Sequence, residues 1–396
     1  MSHVPEAASD RVLARSMETC AHPEDLRIAY VRPGPEPRAA EYILDQLRRT
    51  FPEHAIDVIE VKDMIRSQRA VFAINALATM ARYGPQIVRR ERSARDSFFR
   101  TPYIFRAIRD MVRRQIDPGK YLFSIQIQSL FDASVPGVPH FVYTDHTNRA
   151  NLFYGDHGGR GLYPPVWQAL EQQIYLHAER VLVRSRHVAR SLEEHYAVES
   201  ARIRCVYAGS NVPMLRPYSE RTPAVSKDIL FVGMDWERKG GPDLLAAFRR
   251  VRDRHPDATL TLVGEAPEMS EPGVRVLGRL GSERLDRLYA EAAVFALPTL
   301  REPFGIVFVE AMERGLPIVA TTVGALPDMV EDGVNGYLVE PGDVDALADR
   351  LNRLLDDPEA RIRQGAAGRR IVEDRYNWDA VGTAIADEVR SALARV

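Results

Sequence analysis

Short, almost unbroken apolar runs alternate along this chain with longer stretches in which apolar residues recur every third or fourth position. The runs are "LRIAYV", "AIDVIEV", "YLFSIQI", "HFVYTD" and "RVLVRS" in the first half, then "DILFVGM", "ATLTLVG", "VRVLG", "VFALPT", "PIVATT" and "GYLVE" in the second. The longer stretches include "AAEYILDQLRRTF", "PPVWQALEQQIYLHAE", "GPDLLAAFRRVRDRH", "SERLDRLYAEA" and "DVDALADRLNRLLDD". The first kind reads as strands, the second as amphipathic helices. Their end-to-end alternation predicts an α/β fold, parallel sheets with helices on both faces. Residues 207–228 break the pattern: "YAGSNVPMLRPYSERTPAVSKD" is rich in Pro and Ser and has no period. The expected order is a tail 1–24, a Rossmann-like domain 25–206, a linker 207–228, a second Rossmann-like domain 229–376 and a terminal helix 377–396.

Composition allows this. A chain of 396 residues that is 45% hydrophobic can build two ordinary cores. The formal net charge is −2, so nothing global points to nucleic acid. Cys20 and Cys205 form neither a disulfide framework nor a metal-ligand spacing. The first residues, "MSHVPEAASDRVLARSMETCAHPEDL", hold no apolar segment of the signal-peptide kind, and no run approaches the ~20 residues that span a bilayer. The expectation is a soluble cytoplasmic protein. One segment stands out: residues 62–114 carry thirteen Lys and Arg against four Asp and Glu, interleaved with Phe72, Ile74, Leu77, Met80, Phe98, Phe99 and Tyr103. Such a segment suits an anionic membrane surface; the alternative is a set of helices with solvated Arg faces.

Chemistry concentrates in residues 301–343, "REPFGIVFVEAMERGLPIVATTVGALPDMVEDGVNGYLVEPGD". A strand, a turn with Gly and a helix start aim free N–H groups and a positive dipole end at an anion. Here those groups belong to Phe304, Gly305 and Ile306. Glu310 lies roughly 7 Å further up the helix at about 1.5 Å per residue, and Glu302 sits in the turn. A nucleotide sugar has this anatomy, with Glu310 placed for ribose hydroxyls and Glu302 for sugar hydroxyls. A second anchor is "FVGMDWERKGGPDLL", residues 231–245. Its strand ends at Gly233, Arg238 and Lys239 fall on the loop, and Pro242 opens a helix. Two cations at the carboxyl end of a strand can neutralise a departing diphosphate.

Elsewhere the residues leave alternatives open. Asp145 and His146 end a first-domain strand, where the histidine could orient a hydroxyl near neutral pH. Equally, Asp145 could cap a helix and His146 could be a satisfied surface residue. Gly278, Arg279 and Leu280 fall at another strand-to-helix turn. Asp343, in "DVD", reads as an N-cap and not a metal ligand. "GDHGGRG", 155–161, lacks a preceding strand and reads as a mobile loop.

Glu302, Pro303, Phe304, Gly305, Glu310, Ala311, Gly315, Pro317, Gly324 and Pro327, with the run 331–347, resemble the signature of retaining glycosyltransferase family 4, glycosyl transferases group 1. The resemblance is specific over 203–380 and architectural over 25–200. It implies the GT-B fold, two Rossmann-like domains facing across a cleft with the C-terminal helix crossing back to the first. It further implies a retaining, metal-independent, hexosyltransferase-like enzyme that takes a nucleoside-diphosphate sugar and needs no cofactor. The acceptor would be a sugar, glycolipid or lipid-linked molecule in polysaccharide or glycolipid assembly. In such enzymes a strand-end Gly-Arg pair and a Lys-Gly pair hold the diphosphate. Lys239-Gly240 matches, whereas Met234 replaces the arginine and Arg238 would supply its charge. The resemblance places base recognition at Gly278, Arg279 and Leu280, largely through backbone groups. It gives His146 and Asp145 to the acceptor side, with the stiff loop "RPGPEPRAA" standing where many members carry a glycine pair. Rival readings are a GT-B sugar-nucleotide epimerase or phosphorylase, and a catalytically silent GT-B binding module.

Overall fold

The structure, a computed structural model, describes residues 25–35, 38–157, 162–212 and 226–395. The expected tail 1–24, most of the linker and part of the 155–161 loop lie outside the described residues. Two parallel six-stranded sheets account for the architecture. The first holds β1 (Arg27–Arg32), β2 (Ile56–Glu60), β3 (Tyr121–Ile127), β4 (His140–Thr144), β5 (Arg180–Val183) and β6 (Ile203–Cys205), in the order β2-β1-β3-β4-β5-β6. The second holds β7 (Asp228–Gly233), β8 (Thr259–Gly264), β9 (Val274–Val276), β10 (Val294–Leu297), β11 (Ile318–Thr321) and β12 (Gly336–Val339), in the order β12-β11-β10-β7-β8-β9.

The apolar runs map onto these strands with two differences. "AIDVIEV" stops pairing at Glu60, because Val61 opens the Val61–Ser67 helix. β6 has no counterpart among the expected strands: three residues with Arg204 in the middle make no visible apolar run. β4, β5, β7, β10 and β11 are buried along their whole length, as strands with helices on both faces must be. Asp343 caps the Val344–Asp356 helix, its carboxylate accepting from the Ala346 N–H at 2.9 Å.

The last helix, Trp378–Leu393, belongs to the first domain by packing. Val381, Ile385, Ala386 and Val389 join Ile43, Leu44 and Leu47 in one buried cluster. Gly382 permits the approach, since a Cβ there would stand 2.4 Å from Gln46 Oε1. Trp378 fixes the crossing point, stacked on Tyr42 at 5.0 Å and donating from its indole to the Ser210 carbonyl at 2.8 Å.

Each strand order has a place where the chain reverses direction across the sheet, between β1 and β3 in the first and between β7 and β10 in the second. Loops leaving the carboxyl ends of strands diverge there and open a crevice, the usual ligand position in open α/β sheets.

Candidate functional site

Both anchor motifs sit on the crevice of the second sheet. Lys239 and Arg238 lie on the loop after β7, and Glu302 on the loop after β10. Two glycines let loops press on the one after β10, Gly240 from the loop after β7 and Gly324 from the loop after β11. Gly240, at φ +73°, caps the Gly241–Arg254 helix, and a Cβ there would stand 1.9 Å from the Pro298 carbonyl oxygen. Gly324, at φ +60°, would bring a Cβ to 1.7 Å from the Glu302 carbonyl oxygen. Neither position has room for any other residue. Held this way, the Lys239 ammonium forms a buried ion pair with the Glu302 carboxylate. Arg238 is a brace: its Nε donates to Asp235 at 2.9 Å and its Nη1 to the Arg301 carbonyl at 3.0 Å. Its own carbonyl accepts from the Leu300 N–H at 2.9 Å.

The Ile306–Glu313 helix starts from Gly305 at φ +90°, with no side chain capping it. Among its first-turn groups the Phe308 N–H donates back to the Gly305 carbonyl at 3.0 Å, and no side chain serves the others. Phe304 is buried beneath the turn, near Tyr376. Glu310 is only 3% exposed and accepts from the Tyr289 hydroxyl at 3.0 Å. Burial pushes its carboxyl up to about 7, although Tyr289 and the Arg314 charge both pull the other way. Gly278, at φ +63°, lends its carbonyl to the Gly264 N–H at 2.9 Å. Arg279 is exposed and 3.5 Å from Glu265, while Leu280 packs at the core margin.

Across the cleft, Asp145 and His146 follow β4. The Asp145 carboxylate lies 3.6 Å from Arg184. The surface alternative for His146 does not hold, because its Nδ1 is buried with no hydrogen-bond partner among the described residues. Burial lowers its pKa to about 4; Asp145 opposes this, and Arg100 and Arg301 add to it. Arg301 comes from the second domain, so His146 faces the loop that carries Glu302. Between the domains a cavity of about 560 Å³ is lined by Tyr154, Arg186 and His187 on one side and Gly324, Asp328 and Glu340 on the other. Glu302, Glu310 and Lys239 do not line it; Gly324, which does, abuts the Glu302 carbonyl. The Arg186 N–H donates to Asp328 at 2.6 Å and ties its walls together.

Residues the sequence reading missed include Tyr289, Arg301 and Tyr154. Tyr289 lies on a helix of unremarkable pattern. Arg301 was findable as the neighbour of Glu302. Tyr154, whose hydroxyl burial raises and whose surroundings feel the Glu302 charge, carried no local signal. Among the described residues no three His, Cys, Asp or Glu side chains gather as a metal site.

Two family models match: "Glycosyltransferase Family 4" over residues 70–212 and "Glycosyl transferases group 1" over residues 226–357. The chain is 31% identical over 283 residues to a D-inositol 3-phosphate glycosyltransferase of Corynebacterium urealyticum, covering 63% of this chain and 66% of that one. It is 34% identical over 182 residues to a glycogen synthase of Mycobacterium tuberculosis, covering 43% and 44%. The matched stretch thus spans roughly half to two thirds of these relatives. Among solved structures, Anabaena Alr3699/HepE in complex with UDP superposes with a TM-score of 0.65 at 17% identity, covering 92% of this chain and all of that one. A sucrose-phosphate synthase from Thermosynechococcus elongatus gives 0.60 at 24%, covering 74% and 79%. At such identities the likeness concerns the fold.

Proposed function

The chain belongs to glycosyltransferase family 4, the glycosyl transferases group 1, and on that basis we propose that it is a retaining glycosyltransferase using a nucleoside-diphosphate sugar. The observation that carries this is the second crevice: Lys239, Glu302 and an uncapped helix start meet within two loops, with buried Glu310 behind them. In this reading the diphosphate lies at the N–H groups of Phe304, Gly305 and Ile306, and Lys239 turns from Glu302 toward it. Glu302 is then released to accept sugar hydroxyls, and Glu310 accepts from the ribose. Gly233 and Gly278 let the backbone approach the nucleotide, with Arg279 and Leu280 at the base. Arg238 holds the two loops in register.

The bond from the anomeric carbon to the phosphate oxygen breaks as the acceptor oxygen bonds to the same face. The acceptor proton passes to the leaving phosphate oxygen, so neither a carboxylate base nor a metal is needed. His146, neutral over the physiological range and facing Arg301, orients the acceptor hydroxyl beside Asp145. Melting temperatures with a panel of nucleotide sugars test the reading: at least one should raise the transition. No shift with any of them would sink it.

We also place the enzyme at a membrane surface, on the cytoplasmic side. No helix among the described residues is long and apolar enough to cross a membrane. The Arg69–Val88 helix is inverted instead. Its buried residues are Asn75, Thr79, Tyr83 and Gly84, whereas Leu77 is 72% exposed and Val88 77%, with Phe72, Ile74 and Met80 also outward. The polar face is fixed inward by hydrogen bonds, Asn75 to the Phe98 carbonyl and Tyr83 to the Arg100 carbonyl, both at 2.8 Å. An apolar face flanked by exposed Arg66, Arg82, Arg89 and Arg90 suits an interface of anionic lipid. The acceptor would then be a glycolipid or a lipid-linked sugar.

A further inference from the structure

The crevice of the first sheet, between β1 and β3, holds a cavity of about 280 Å³. Pro33 follows β1 there, Lys62 follows β2, and Gln128 and Leu130 follow β3. It adjoins a second space of about 310 Å³ that reaches Asp145 and His146; Asp96, Arg100, Gln128 and Leu130 line both. The first space carries an excess of positive charge, although the Arg100 charge also reaches buried Glu171 in the adjoining space. Lys62, Arg95 and Arg100 converge on it, and none of the three has a carboxylate within ion-pair distance among the described residues. Asp96 is the acidic side chain in the lining, leaving a net charge of about +2 on this crevice.

Arg100 is the most telling of the three. Its guanidinium is clamped against two rings, 4.9 Å from the centre of Tyr163 and 4.7 Å from that of Trp167. Nε and Nη1 are buried with no acceptor. Buried guanidinium donors left unmade are costly, and a guanidinium clamped between rings with unmet donors has hydrogen bonds left to offer an anion. The Lys62 stem lies over the turn after β1, where a Cβ on Gly34 would stand 3.2 Å from its Cδ. Gln128 keeps a left-handed backbone, φ +70°, at the junction of the two spaces, with its N–H donating to the Tyr143 carbonyl at 2.8 Å. Such strain in a non-glycine residue recurs at ligand sites.

We propose that the acceptor of this transferase carries a phosphate group, and that Lys62, Arg95 and Arg100 bind it in the first-sheet crevice while the accepting hydroxyl lies toward His146. The proposal rests on the transferase reading above and names its substrate class. A dianionic phosphate matches the net charge, and the adjoining space gives the rest of the acceptor a path to the cleft. The phosphate could belong to a soluble sugar or polyol phosphate or to a lipid headgroup.

The test uses the full chain. Inorganic phosphate is titrated into wild type, into Lys62→Gln/Arg95→Gln, and into Arg106→Gln/Arg114→Gln, whose arginines line a different cavity. A panel of nucleoside diphosphates is titrated in parallel. The expected result is phosphate binding about tenfold or more weaker in the first double variant only, with nucleoside diphosphate binding equal in all three. Equal phosphate binding in all three, or none in wild type while a nucleoside diphosphate binds, overturns the phosphate site and leaves the transferase reading standing. If no nucleoside diphosphate binds, the transferase reading falls and the acceptor assignment with it. Competition then separates the sources. Displacement of phosphate by a soluble phosphomonoester alone supports a soluble acceptor; displacement by phosphatidic acid vesicles supports a lipid one; displacement by neither overturns the proposal.

Discussion

Replacing Glu310 by Gln should remove one titration and little else. The amide is nearly isosteric, and its oxygen can still accept from Tyr289. In the folded wild type the carboxyl keeps its proton up to about 7, against an ordinary value of 4.5. The folded state therefore binds more protons than the unfolded one between those values. Its stability is greatest below 4.5, declines as pH rises toward 7, and then levels. A shift of this size corresponds to roughly 3 kcal/mol, of which about 2.5 kcal/mol falls between pH 5 and pH 8. His146 and His187, both lowered to about 4, act in the opposite sense, stability rising from there to their ordinary range. Both are present in the variant, so the difference between the two proteins isolates Glu310. Urea unfolding of each protein across pH 5 to 8 is the assay. The wild-type-minus-variant difference should fall by about 2.5 kcal/mol over that range; parallel curves would refute the burial argument. Because a ribose hydroxyl donates to the ionised form, calorimetry should also show nucleoside diphosphate binding tighten about tenfold from pH 6 to pH 8 in wild type. In Glu310→Gln the same titration should be flat.

Lys239→Ala should lose roughly 10²-fold or more in kcat and also stability, because Glu302 is left buried without its cation; Lys239→Ala/Glu302→Ala should recover stability but not turnover. EDTA should leave wild-type transfer unchanged, and inhibition reversed by Mn²⁺ or Mg²⁺ would contradict the metal-free route. Gly324→Ala sets a methyl against the Glu302 carbonyl and should cost about 2 kcal/mol or more by thermal unfolding, whereas wild-type stability would show that the loops can part. In flotation assays the protein should bind anionic vesicles at low salt and leave them by about 0.5 M salt. Leu77→Ser/Val88→Ser and Arg89→Ser/Arg90→Ser should each weaken that binding; unchanged binding in both would remove the helix from the interface.

The elements were legible because parallel strands covered on both faces leave continuous apolar runs, and the helices between them keep a clean period. The loop positions of Lys239, Glu302 and Gly305 followed from the same local logic. Long-range partners did not. That Lys239 meets Glu302, that Tyr289 occupies Glu310 and that Arg238 braces the Arg301 carbonyl are contacts between loops or helices distant in sequence. No local period encodes them. The Arg69–Val88 helix was half legible: its basic and apolar content was plain, but the rule that apolar faces turn inward points the wrong way when Asn75, Thr79 and Tyr83 hold the buried side. Arg92, one of the thirteen basic residues of 62–114, donates to the Leu162 carbonyl at 2.6 Å and is thereby committed to the fold.

Retention of anomeric configuration during transfer from a nucleotide sugar is the claim on which the mechanism stands. Proton NMR of the reaction, started with whichever nucleotide sugar raises the melting temperature, reads it directly from the anomeric coupling of the first-formed product. The expected spectrum shows nucleoside diphosphate accumulating in step with a product of the donor's own anomeric configuration. A first-formed product of inverted configuration, or a sugar product without release of the nucleoside diphosphate, would contradict it.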